Sequence, residues 1–189
     1  MENISCLIVV GGSGLGHNVE TVEVIFGDRK TKQLPKLRKE IKNPSIVFQD
    51  GTLLLCGGMN KPKKCFQLNH GVWKDHSTLN HGRYEHSVVT TRTETFLFGG
   101  QHSKKTYEYL PKGSTTWLMG KTKIPGGFDG GSAIAVKSDQ EIWLIGGWDT
   151  EKRILSFDVE EHTFQELPFP IKVGRRALSG EIGMYNSAR

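Results

Sequence analysis

Leu53-Leu54-Leu55-Cys56-Gly57-Gly58 decides the reading of this 189-residue chain, because a short apolar run closed by two glycines returns three more times. Leu7-Ile8-Val9-Val10 leads into Gly11-Gly12, Phe96-Leu97-Phe98 into Gly99-Gly100, and Ile142-Trp143-Leu144-Ile145 into Gly146-Gly147. The doublets lie about 42 to 47 residues apart, a period that suits one small supersecondary unit per repeat. Each run has the length and the β-rich composition of a strand.

Other residues keep the same register. Behind the glycines an aromatic is followed seven or eight residues later by a second large residue: Phe66 then Trp73, Tyr109 then Trp117, Phe157 then Phe164. The first unit keeps Phe26 but has Gln33 at the second place. Ahead of the later doublets stand Ser45, Ser87 and Ser132, and Ser179 continues the series. Arg83-Tyr84-Glu85-His86-Ser87 and Arg175-Arg176-Ala177-Leu178-Ser179 share one frame.

The unit therefore reads as four antiparallel strands: A through the serine, B into the doublet, C with the first aromatic, D with the second. Gln49-Asp50-Gly51 and Ser138-Asp139-Gln140 are A–B turns; Asn69-His70-Gly71 and Lys112-Gly113-Ser114 are C–D turns. Strand B is apolar at successive positions, so both its faces need cover, which a lone sheet cannot give and neighbouring sheets can. No segment sustains a 3.6-residue period, and the basic stretch from Lys36 to Ile41 is fenced by Pro35 and Pro44. Almost no helix is expected.

These units resemble kelch repeats, in the strand-ending Gly-Gly and in the spacing of aromatic and tryptophan, across essentially the whole chain. The resemblance implies an all-β fold, a kelch-type β-propeller, with four four-stranded antiparallel blades in a single domain spanning 1–189. Blade one takes about 4–34 plus 175–185, blade two about 43–78, blade three about 83–121 and blade four about 128–168. The chain begins in strand B and ends in strand A. Either the C-terminal strand completes blade one in a closed four-blade ring, or the chain is part of a larger propeller; both readings stay open.

In an up-and-down blade the B–C and D–A connections emerge on one edge and the A–B and C–D turns on the other. The first edge collects seventeen lysines and arginines against six carboxylates, a net charge of +11, within a chain whose formal net charge is +5. The opposite edge comes to −2. A concentrated basic face attracts acidic partners and speeds their encounter. Candidate partner-binding residues there are Arg38, Lys61, Lys63, Lys64, Arg83, His102, Lys104, Lys105, Trp148, Arg153, Arg175 and Arg176. Arg83 and Arg175, at the mouth of strand A, fit a buried structural ion pair equally well. In kelch propellers this is the usual partner-binding face, as the resemblance implies.

Nothing points to catalysis. Ile8 to Gly16 imitates a dinucleotide-binding loop, but its glycine spacing is wrong and no helical pattern follows. His70, His76, His81 and His86 recur every five or six residues, yet fall on four different segments, which argues against a shared metal. No nucleophile, zinc or phosphate-loop motif is present. The expectation is a non-catalytic module with no cofactor that binds an acidic peptide or protein surface. A carbohydrate-processing or carbohydrate-binding propeller is one alternative, nucleic-acid binding by the basic face another; small-molecule binding is not expected. Cys6, Cys56 and Cys65 lack zinc-finger spacing and read as reduced core thiols. The absence of a signal-like or membrane-length apolar stretch leads to the expectation of a soluble, cytoplasmic protein.

Overall fold

The structure, a computed structural model, describes residues 6–10, 13–14, 17–18, 21–26, 30–37, 41–128, 132–147 and 150–173, with 6–18 and 26 described through their backbone. The described residues are all strand, turn and loop. Sheet 1 is formed by β1 (Cys6–Val10), β4 (Val22–Phe26) and β5 (Thr31–Leu34), with a short ribbon of β2 (Ser13–Gly14) and β3 (His17–Asn18) between its first two strands. Sheet 2 is β6 (Ser45–Gln49), β7 (Thr52–Cys56), β8 (Lys64–Asn69) and β9 (Val72–Thr78). Sheet 3 is β10 (Ser87–Thr90), β11 (Glu94–Phe98), β12 (Tyr107–Pro111) and β13 (Leu118–Met119). Sheet 4 is β14 (Ala133–Ser138), β15 (Glu141–Ile145), β16 (Ile154–Asp158) and β17 (Thr163–Glu166).

Every pairing is antiparallel, and apart from β1 with β4, which the β2–β3 ribbon separates in the chain, each joins consecutive strands. Sheets 2 to 4 thus have the strand order A-B-C-D, and sheet 1 has strands B to D. The segment 175–185, expected to supply strand A of the first unit, lies outside the described residues. Tight turns follow from sequence: Asp50-Gly51 and His70-Gly71 all have positive φ, between 47° and 77°, as two-residue hairpins of right-twisted strands demand.

The sheets cover one another's apolar faces, and the second strand shows how. Leu53 and Leu55 of β7 face sheet 1, in a cluster with Val22, Leu37, Ile41 and Trp73. Leu54 and Cys56, on the other face, join Leu97, Leu110 and Trp117 of sheet 3. Phe96 and Phe98 of β11 meet Ile142, Leu144, Leu155 and Phe157 of sheet 4. The alternation of a strand thus serves two cores at once. Trp143 and Ile145 of β15 point away from sheet 3 and stay half-buried.

Three repeated residues join neighbouring sheets, all three of them at the junction of sheets 2 and 3. The first is the glycine doublet: Gly58 N–H donates to the Arg83 carbonyl at 2.9 Å and Gly100 N–H to that of Phe128 at 2.9 Å. A Cβ on Gly99, whose φ is +62°, would lie 1.7 Å from the Phe128 carbonyl oxygen. Only glycine permits that approach. The second is the strand-A serine: Ser45 Oγ donates to the His86 carbonyl at 2.5 Å, and Ser87 Oγ to the Ser132 carbonyl at 3.2 Å. The third is the strand-D tryptophan: Trp73 Nε1 donates to the Pro35 carbonyl at 2.8 Å, and Trp117 Nε1 to Ser77 Oγ at 2.9 Å. Each reaches back to the outer part of the preceding sheet.

The cysteine expectation is corrected. Cys56 and Cys65 are directly opposed in the β7–β8 register and form a disulfide, their Cα atoms 4.1 Å apart. Burial of an apolar run explains Cys56 alone; the hairpin register is what makes the other cysteine its neighbour. The same place in sheet 3 holds the stacked pair Phe98 and Tyr107, and in sheet 4 Ile145 opposite Ile154.

Candidate interaction face

The B–C loops of sheets 2, 3 and 4 are built alike. After each doublet the Gly58, Gly100 and Gly147 carbonyls accept the N–H of Lys61, Ser103 and Thr150 at 3.1, 3.1 and 3.3 Å. Those residues' carbonyls accept the N–H of Lys64, Thr106 and Arg153 at 3.0, 3.0 and 2.9 Å. The first glycine then donates back to the carbonyls of Lys64, Thr106 and Arg153, at 2.9, 3.0 and 2.9 Å, closing the loop. Three backbone hydrogen bonds at equivalent positions thus give the described parts of these loops a common form.

One position in this loop carries lysine in all three sheets: Lys63, Lys105 and Lys152. Their carbonyls accept the N–H of Leu79, Ile124 and Ile171, in the chain leaving strand D of the same sheet, at 2.8, 3.0 and 2.9 Å. All three side chains are exposed and none pairs with a carboxylate. An exposed lysine therefore stands at the equivalent place of three B–C loops. The signal was legible in sequence as a lysine five residues after each later doublet, although Lys152 was not singled out as a contact residue.

The other expected contact residues divide. Lys61 and Lys104 are exposed, and Lys64 pairs loosely with Asp75 at 3.4 Å. His102 is exposed with φ +68° and meets the Tyr84 ring edge-on at 5.5 Å. Arg153 is tied down: its Nε and Nη2 hold both oxygens of Glu166 at 3.0 and 2.8 Å, and its Nη1 donates to the Pro125 carbonyl at 3.0 Å. That fork holds the Glu166 carboxyl below its usual range. Arg38, Trp148, Arg175 and Arg176, with Gly11 and Gly12 of the repeat, lie outside the described residues.

Arg83 is withdrawn from the surface altogether, which settles the choice left by sequence for this residue. It is fully buried, and so is its partner Glu108, at 2.7 Å. Arg83 Nη1 also donates to the carbonyls of Gly99 and Thr106, at 2.8 and 3.2 Å. Glu108 accepts further from the backbone N–H of Asn80 and His81 and from Asn80 Nδ2. Burial pulls the Arg83 guanidinium below its ordinary value, and the Glu108 charge works against that. With its Nη atoms committed this way and its Nε buried without a partner, Arg83 belongs to the packing between sheets 2 and 3 rather than to the exposed face. Beside it His86 is buried, neither ring nitrogen finding a partner, and desolvation together with Arg83 lowers its pKa to about 3.

Among the described residues no group of three or more His, Cys, Asp or Glu converges as a metal site. No helix among them is long and apolar enough to cross a membrane. Models of known protein families give no match to this chain, and neither do curated proteins.

Proposed function

We propose that the sheets are blades of a kelch-type β-propeller, and that the chain is a non-catalytic interaction module capturing an acidic peptide or protein surface on its B–C and D–A edge. The neighbouring inner strands β6, β10 and β14 of consecutive sheets support the first part, since strands A side by side are what blades arranged about an axis require. The second rests on one observation: Lys63, Lys105 and Lys152 are exposed, without a carboxylate partner among the described residues, on loops that share the same three backbone hydrogen bonds. Clustered unpaired cations create a field that steers the approach of an anion.

The test is association kinetics with a fluorescent Glu/Asp-rich peptide at low ionic strength. Lys63→Glu, Lys105→Glu and Lys152→Glu together should slow association at least tenfold, as should reversal of Lys63, Lys64, Lys104 and Lys105, and added salt should erase the difference. An unchanged rate at low salt refutes the reading.

A further inference from the structure

The position four residues before each strand-A serine sits in the wedge between two sheets, and its occupant differs at each junction. Between sheets 2 and 3 it is Arg83, which fills the wedge by reaching Glu108. Between sheets 3 and 4 it is Phe128, whose ring is buried in the core cluster of that junction. Between sheets 1 and 2 it is Ile41, shorter than either. A cleft of about 190 Å³ remains there, walled by Leu37, Ile41, Phe66 and Trp73. Its mouth carries Lys61, Lys64 and Asp75.

We infer that this cleft takes one large apolar side chain, leucine- to phenylalanine-sized, of an acidic peptide whose neighbouring carboxylates meet Lys61 and Lys64. The inference rests on the acidic-partner reading above and adds the anchor to it. Size fits, since an apolar cavity of about 150 Å³ already accommodates benzene. Chemistry fits too: the walls are hydrocarbon and aromatic, while Lys61 has no partner and Lys64 has only an exposed one in Asp75, a pairing worth little in water. A carboxylate flanking the anchor gains two ammonium groups, whereas a basic peptide meets them as like charges. The next lysine, Lys63, begins the repeated series, so anchor and charge contacts are continuous. The inserted ring would do from outside what Phe128 does from within the chain at the third junction.

The experiment is selection of a random dodecapeptide display library on the whole chain, with Ile41→Phe as the decisive variant. Phenylalanine is the residue the sheet 3–4 junction already uses, so Ile41→Phe should fill the cleft and keep the melting temperature. Ile41→Met serves if Ile41→Phe does not fold. Wild type should enrich peptides with Leu, Phe, Met or Trp next to Asp or Glu. Replacing that anchor by Ala should weaken binding on the order of 10- to 100-fold on wild type and hardly at all on the filled variant. Lys61→Glu should weaken the same peptides. Acidic peptides without an apolar anchor, bound equally by Ile41→Phe, overturn the cleft and leave the basic face standing. Peptides that lack acidic residues, or no enrichment at all, overturn both.

Discussion

Replacing Glu108 by glutamine is the sharpest test of how the sheets are locked. The side chain keeps its shape but loses its charge, and one of its two oxygens becomes a donor. It then faces either the Arg83 Nη2 and His81 N–H or the Asn80 donors, all within 2.7 to 3.0 Å of the carboxylate. Arg83 is fully buried and has no water to turn to. Breaking such a pair from one side costs about 3–5 kcal/mol. At about 2–4 °C per kcal/mol for a chain of this size, the melting temperature should fall by roughly 6–20 °C. Removing both charges, as Arg83→Met with Glu108→Leu, should cost less than Glu108→Gln alone, because Asn80 and His81 are exposed residues whose amides can find water. Calorimetry and urea titration of Glu108→Gln, of the double variant, and of Arg83→Met and Glu108→Leu singly would decide. A Glu108→Gln variant melting within about 3 °C of wild type, or a double variant at the sum of the singles, refutes the reasoning.

Other outcomes follow from the same contacts. Gly99→Ala should abolish folding, its Cβ colliding with the Phe128 carbonyl, whereas Gly51→Ala, at φ +77° with nothing within 4 Å, should lose only about 1–2 kcal/mol; equal melting temperatures would remove the close approach from the account. In denatured, unreduced protein only Cys6 should react with a thiol reagent, and Cys56→Ala with Cys65→Ala should cost about 3 kcal/mol; three reactive thiols would contradict the disulfide. His86, held near pH 3 against an ordinary 6.5, should make stability fall as pH drops from 6.5 to about 3, by up to about 1.4 kcal/mol per unit, since the unfolded chain takes a proton the folded one refuses. His86→Leu should flatten that slope in urea titrations across this range; an unaltered slope means the acid sensitivity lies elsewhere.

Much of the architecture was legible because its signals are backbone constraints. The doublets, serines and tryptophans each mark a hydrogen bond or close approach between sheets, so they return at a fixed spacing along the chain, the tryptophan in the second and third units only. What escaped depends on register and on side chains from distant repeats. Cys56 and Cys65 pair only because the loop between them places them opposite each other. Arg83 meets Glu108 only once sheets 2 and 3 are docked, so the sequence left Arg83 open between the surface and a buried ion pair and did not name its partner. Arg153 likewise carries its formal charge into a fork with Glu166. The ribbon of β2 and β3 had no counterpart in the other repeats to reveal it. The lysine series was visible, but its meaning required knowing that each loop closes on itself in the same way.

The serine fastening has a direction: each hydroxyl reaches forward in the chain, from one inner strand to the start of the next. At both described junctions the serine of one unit thus supplies the donor, and the backbone at the start of the next unit supplies the acceptor. A gene segment encoding one such unit can be duplicated or deleted with this serine fastening kept, while the side chains packed in the wedges, Ile41, Arg83 and Phe128, would have to find new fits.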